Sequence, residues 1–208
     1  MKILFQGDSI TEWNRDKADP DDLGCGYVAV ASKLIAEAFP EVEFTFVNRG
    51  ISGDRTRELL ARWQEDTIDV QPDVMTLMIG VNDTWRRYDN HDPMTAEEYE
   101  SNLRQLLDDF KAHTNAKLLM IEPFTVHEDT DLWREDLYLK INAYRRVAKE
   151  YADAYLPMDG LIAMMCVEKE PSHWSMDGIH LAQPGIDRMG AYVAQAVAPL
   201  IESVLCTK

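Results

Sequence analysis

Cysteine is scarce in this chain: three in 208 residues, Cys25, Cys166 and Cys206, far apart and without a CxxC pair. That spacing excludes a disulfide framework and a zinc ribbon, and the three read as reduced thiols. Positive charge is also in short supply, with 21 Lys and Arg against 37 Asp and Glu and a net charge of −16 spread along the chain. A surface of that sign repels phosphate backbones and anionic headgroups, so nucleic acid and membranes are poor partners and a neutral or cationic small molecule fits better. The sequence has no unbroken apolar run near the length of a membrane span, no HExxH, no repeat and no Gly/Ser-rich linker. Lys2 to Phe5 reads as a core strand, which leaves no room ahead of it for a signal peptide. The expectation is one soluble, cytoplasmic domain over residues 1–208, with no metal site and no cofactor.

What is present is alternation. Short β-rich runs at Lys2–Phe5, Glu43–Asn48, Val74–Ile79, Lys117–Ile121 and Ala154–Met158 are separated by helix-period segments. Tyr27, Val30, Ala31, Leu34, Ile35 and Ala38 share a face that stops before Pro40, and Leu59, Leu60 and Trp63 share another. Thr95 and Glu98 form a capping box ahead of Tyr99, Leu103, Leu106, Leu107 and Phe110. A fourth stripe runs through Leu137, Ile141, Tyr144, Ala148 and Tyr151. A last helix is expected to start at Pro184 and to carry Ile186, Met189, Val193, Val197, Leu200 and Val204 inward. The pattern predicts an α/β fold, a three-layer α/β/α sandwich around a parallel sheet, in which ligands sit beyond the carboxyl ends of the strands.

Four segments fall at that rim: Gly7-Asp8-Ser9 after strand one, Asn48 to Asp54 (NRGISGD) after strand two, Gly80 to Asp83 (GVND) after strand three, and Asp177 to His180 (DGIH) before the last helix. They supply what acyl transfer requires. A serine hydroxyl attacks only if a base takes its proton, and an imidazole base needs a carboxylate to fix its tautomer. Asp177 and His180 are close enough in sequence to pair, with Ser9 as the nucleophile. The Ser9 N–H, the Gly53 N–H and the Asn82 amide are candidate donors to the oxyanion. No one of these segments is specific alone, since Gly, Asp, Asn and Ser form turns anyway.

The blocks GDSI, GISG, GVND and DGIH, in that order from Gly7 to His180, resemble the signature blocks of the SGNH (GDSL-type) esterase superfamily. The resemblance implies a flavodoxin-like fold with strand order 2-1-3-4-5. It also implies catalysis by Ser9, Asp177 and His180, with Ser9, Gly53 and Asn82 forming the oxyanion hole. GYVA (Gly26 to Ala29), ARWQED (Ala61 to Asp66) and IGVNDTWRRYD (Ile79 to Asp89) are similar to acetyl xylan and acetyl-xylooligosaccharide esterases of that superfamily. This implies removal of acetyl groups from a carbohydrate, and a homo-oligomer is compatible with it. The alternatives are a lysophospholipase, thioesterase or broad arylesterase of the same superfamily and, from another class, a catalytically silent carbohydrate-binding protein. Thr11 stands where the second glycine of GxSxG would fall, which argues against an ordinary α/β-hydrolase.

Around those residues, Trp85, Arg86 and Tyr88 follow Asn82 and are candidates to contact substrate, with Trp13 and Trp174 as weaker ones. Asp8 is a further candidate contact, although Asp8 and Asp83 read first as local hydrogen-bond acceptors. His91, His113, His127 and His173 read as solvated, as does the polar loop His127 to Asp131. GCGYVA (Gly24 to Ala29) matches the GxGxxA of a dinucleotide-binding turn, but it does not follow the first strand directly and strand two ends in Asn48 rather than an acid, so no nucleotide is expected.

Overall fold

Strand β1 (Lys2–Gly7) sorts its side chains to both sides of a sheet: Ile3 and Phe5 enter one hydrophobic core and Leu4 the other. Burial on both faces is what a parallel strand flanked by helix layers requires, and the unbroken apolar run Ile3-Leu4-Phe5 satisfies it. The structure is a computed structural model that describes residues 1–126, 131–175 and 177–207, with backbone alone at 131 and 132. Four further strands, β2 (Thr45–Asn48), β3 (Val74–Met78), β4 (Lys117–Ile121) and β5 (Ala154–Leu156), complete one parallel sheet in the order β2-β1-β3-β4-β5. Leu4 pairs with Val47 on one side and Met75 on the other, and Ile121 pairs with Leu156 at the far edge.

Helices α2 (Tyr27–Ala38), α7 (Met158–Glu168) and α9 (Gln183–Thr207) cover the face that holds Ile3 and Phe5. The other face is covered by α3 (Thr56–Trp63), α5 (Ala96–His113) and α6 (Asp131–Tyr151). The α5 capping box forms as the sequence predicts: the Glu98 N–H donates to Thr95 Oγ1 at 3.1 Å and the Thr95 N–H to Glu98 Oε2 at 2.9 Å. By length and composition α9 is apolar enough to cross a membrane, with a mean hydropathy of 1.4 over 18 residues, although it contains no unbroken apolar run of that length. Here it lies against the sheet and α2, with Ile186, Met189, Val193, Val197 and Ile201 buried.

The strand ends differ from expectation for local reasons. β2 begins at Thr45, opposite Lys2, where its partner begins; before it the Glu43 carbonyl only accepts from the Met1 nitrogen. β5 ends at Leu156 because Pro157 cannot donate to the ladder. Two helices had not been expected. α4 (Val81–Asp89) takes in Asn82 and Asp83, which had read as loop, while α7 is apolar on all sides and shows no stripe. The buried face of α2 is also turned, with Val28 and Ser32 inside, Leu34 half-buried and Ala38 exposed. There Gly190 of α9 packs so close that a β-carbon on it would lie 2.5 Å from Val30.

Candidate active site

β1 ends at Gly7, and Asp8 caps the single turn α1 (Ser9–Glu12), accepting the Ile10 N–H on its Oδ1 at 3.1 Å. Ser9 is therefore a turn residue, the first of α1, two positions beyond the sheet. Its Oγ lies 2.9 Å from His180 Nε2, and His180 Nδ1 lies 2.5 Å from Asp177 Oδ2. With the Nδ1 proton directed at the carboxylate, Nε2 is left to accept from the serine hydroxyl. The other Asp177 oxygen accepts the N–H groups of Ile179 at 2.9 Å and His180 at 2.7 Å. Gly178 turns the loop with φ +83°, and its N–H donates to Ser175 Oγ, which in turn donates to the His180 carbonyl at 2.7 Å. Burial opposes the charge on Asp177, but the bond from the His180 ring and those two N–H groups outweigh it and hold the carboxyl below its ordinary value.

The loop after β2 is bonded residue by residue. The N–H groups of Arg49, Gly50, Ile51, Ser52 and Asp54 donate to Phe5 O, Asn48 Oδ1, Gly7 O, Glu12 Oε2 and Ile51 O. That of Gly53 has no partner among the described residues, and neither has that of Ser9. Gly53 has φ +86°, a conformation that suits glycine. The third donor group is held by its neighbours: Asn82 Nδ2 donates to the Asp54 carbonyl at 3.1 Å and Asn82 Oδ1 accepts from Arg86 Nη2 at 3.2 Å. Those two contacts fix which end of the amide is which and leave Nδ2 a second N–H for a ligand. Behind it, buried Asp83 accepts both the N–H and the hydroxyl of Thr56, joining the first turn of α4 to that of α3. Burial raises Asp83 to about 6 and Asp8 to about 7.

Aromatic rings stand on the opposite side. Trp13 lies 5.4 Å from the His180 ring, centroid to centroid, and Trp85 lies 6.2 Å from it. Trp85 leads on to Trp133 at 5.5 Å, which stacks on Tyr88 at 5.3 Å and 15°. Arg86 lies over the Trp85 ring and beside Gly53. A hydroxyl, an imidazole and a carboxylate in one hydrogen-bonded chain, with N–H groups on neighbouring loops, are the kinds of groups that acyl transfer through a tetrahedral oxyanion uses.

The sequence profile of the GDSL-like lipase/acylhydrolase family matches residues 5–188. The chain belongs to that family. It is a carboxylic ester hydrolase. An acetylxylan esterase of Geobacillus stearothermophilus is 37% identical over 160 residues, covering 73% of this chain and 71% of that protein. A crystal structure of Axe2, an acetylxylan esterase of the same organism, superposes with a TM-score of 0.84 at 30% identity, covering 96% of this chain and 93% of that one. A protein assigned as a GDSL-like lipase from Parabacteroides merdae superposes with a TM-score of 0.90 at 30% identity, covering 95% of each chain.

In this GDSL-family hydrolase the six candidates for substrate contact separate. Trp13, Trp85, Arg86 and Tyr88 are partly exposed and lie at or next to His180 and Asn82. Trp174 does not fit the expectation: it is 4% exposed, and its Nε1 donates to the carbonyls of Met165 and Lys169, so the ring is a core element under α7. Asp8, 1% exposed, is likewise closed off from a substrate and serves as the cap of α1. Trp133 was missed, because only the packing of α6 against α4 brings it to Tyr88. The Gly24 to Gly26 segment finds a use as a seat for Trp13, since a β-carbon on Gly26 would lie 2.5 Å from that of Trp13. His91, His113 and His173 are exposed; His127 to Thr130, most of the predicted polar loop, and Met176 lie outside the described residues.

Proposed function

We propose that this hydrolase removes acetyl groups from carbohydrate esters, such as short acetylated xylooligosaccharides, with Ser9 as nucleophile. The observation that carries the reading is the hydrogen-bonded chain Ser9–His180–Asp177 placed beside the unpartnered N–H of Gly53. His180 Nε2 takes the Ser9 proton as Oγ bonds to the ester carbonyl carbon. The oxyanion so formed is received by the Ser9 and Gly53 N–H groups and Asn82 Nδ2. As the tetrahedral species collapses, His180 returns the proton to the departing sugar oxygen, leaving an acetyl-Ser9 ester. A water molecule then gives a proton to His180 while its oxygen bonds to the acetyl carbon, and as this second tetrahedral species collapses Ser9 Oγ departs, takes that proton back from His180 and frees the acetate.

Two further observations support the sugar. Trp85, Trp133 and Tyr88 form a continuous aromatic surface from the base outward, of the kind that stacks on pyranose faces. Catalytic mutants of the Geobacillus esterase replace a serine, and an aspartate and a histidine three positions apart, by alanine. Asp177 and His180 have the same spacing. The test is a panel of 4-nitrophenyl esters of increasing acyl length together with acetylated and free xylooligosaccharides, run on the intact protein and Ser9→Ala. Acetate release from the sugars, steep loss of rate beyond C4 and a silent Ser9→Ala are expected. Preference for C8 or longer chains would favour the lysophospholipase or thioesterase reading, and sugar binding without turnover would favour a silent binding protein.

A further inference from the structure

We infer that Arg62 is a positioning residue that sets the geometry of the oxyanion donors from behind the site. It lies on α3, and its side chain is 14% exposed. Its one guanidinium reaches the segments that present Ser9 and Gly53 directly and Asn82 by way of Asp54. Nη2 donates to the Gly7 carbonyl at 3.2 Å, two residues before Ser9. Nη1 donates to the Arg49 carbonyl at 2.8 Å, at the start of the loop that carries Gly53, and to Asp66 Oδ2 at 3.1 Å. Nε donates to Asp54 Oδ2 at 2.7 Å, and the Asp54 backbone carbonyl is the acceptor that holds Asn82 Nδ2. The ends of β1 and β2 and the Asn82 amide are thus referred to a single rigid, planar group.

Arginine suits this task and lysine does not. The fork fixes several acceptors at once in one plane, whereas an ammonium presents a single centre on a flexible stem. A donor contributes fully to the transition state only while it is aimed at the place where charge develops, so small shifts at three donors are felt in turnover. Substrate binding in the ground state does not depend on that aim to the same degree. Arg62 touches neither substrate nor the reacting atoms in this scheme; it acts through Ser9, Gly53 and Asn82, and the inference rests on their assignment as donors.

The experiment compares the intact protein with Arg62→Lys, Arg62→Met, Asn82→Ala and the double variant Arg62→Lys/Asn82→Ala. Each is measured for kcat and KM on 4-nitrophenyl acetate and for inhibition by methylboronic acid, whose tetrahedral adduct with a serine imitates the oxyanion. Arg62→Lys keeps a positive charge between Asp54 and Asp66 and so remains informative if Arg62→Met fails to fold, with folding checked by circular dichroism. For Arg62→Lys we expect kcat to fall on the order of 10- to 100-fold, KM to stay within about twofold, and boronate affinity to fall in step with kcat. The double variant should lose far less than the product of the single losses, because both changes disable the same hole. A folded Arg62→Lys with kcat within about twofold of the intact protein, a rise in KM alone, or fully multiplicative losses would overturn the assignment of Arg62 while leaving the donors in place. An undiminished kcat in Asn82→Ala would instead overturn the reading of the donors, and Arg62 with it.

Discussion

The two halves of the site are built to different standards of rigidity. On the donor side Asp8 and Asn82 are each 1% exposed, Asp83 is fully buried, and nearly every backbone group of the Gly53 loop has a named partner. On the base side the Asp177 side chain is 50% exposed and that of His180 24%, on a loop between the single turn α8 (Pro171–Trp174) and α9 whose hydrogen bonds are mostly local, between residues 175 and 180, with aromatic rings beside the imidazole. The difference follows from what each half must do. Donors contribute most when they are oriented before charge appears, and burial strengthens them. A base acting as proposed exchanges protons with a serine, a departing alcohol and a water in turn, so it has to stand where solvent and substrate can reach it.

If that division holds, the largest effect outside Ser9 belongs to the most exposed member. Asp177→Asn removes the charge that the imidazolium faces and allows the wrong tautomer, and kcat on 4-nitrophenyl acetate should fall on the order of 10² to 10⁴. A loss of less than about tenfold would mean that water supports His180 well enough by itself. Because hydrogen bonding holds Asp177 below the usual carboxylate value, its charge persists in mild acid, and protonation of Asp177 should not be what limits activity there.

A smaller effect is expected at the aromatic surface. Trp133→Ala removes one ring of the Trp85–Trp133–Tyr88 group, and ring stacking contributes about 0.5 to 1.5 kcal/mol. The KM for acetylated xylooligosaccharides should rise roughly 3- to 10-fold, with 4-nitrophenyl acetate nearly unchanged. Equal losses on both substrates would place Trp133 with the rigid half and remove it from sugar recognition.

The smallest effect is one of stability. Burial raises Asp8 from 3.8 to about 7, so across that interval the folded chain keeps a proton that the unfolded chain has released. The contribution of Asp8 to stability therefore falls as pH rises from about 4 to about 7 and is level above it; Asp83, raised to about 6, contributes in the same direction. Asparagine at position 8 can still accept the Ile10 N–H and cannot ionise. The Tm of Asp8→Asn relative to the intact protein should gain a few degrees across that window and then level off, followed by thermal unfolding at several pH values. A constant difference would show that Asp8 ionises as freely in the fold as out of it.

Much of the layered architecture was legible because it depends on near neighbours in sequence. Apolar runs marked the five strands, and the Thr95–Glu98 box marked α5. The four blocks marked the rim, because chemistry restricts which residue types can stand there. What stayed hidden depends on partners distant in sequence. Asn82 and Asp83 look like a turn until Asp83 is seen tied to Thr56. Trp133 and Trp174 are indistinguishable as isolated tryptophans, and only packing sends one to Tyr88 and the other beneath α7. Arg62 lies beside the apolar face of Leu59, Leu60 and Trp63, and nothing in the sequence tells where its guanidinium goes until its acceptors are known.

The bond between Ser9 and His180 joins residues 171 positions apart. Almost the whole chain must be synthesised, and its first and last helical segments docked through α2 and α9, before that contact can form. Contacts so distant in sequence are the slow ones to establish, because the loop between them must close first. With Ser9 and His180 acting as proposed, turnover serves as a clock for assembly: a refolding chain that has regained its helices but not the docking of α9 should stay inert, and the return of esterase activity should mark the moment when the Ser9 turn meets the His180 loop.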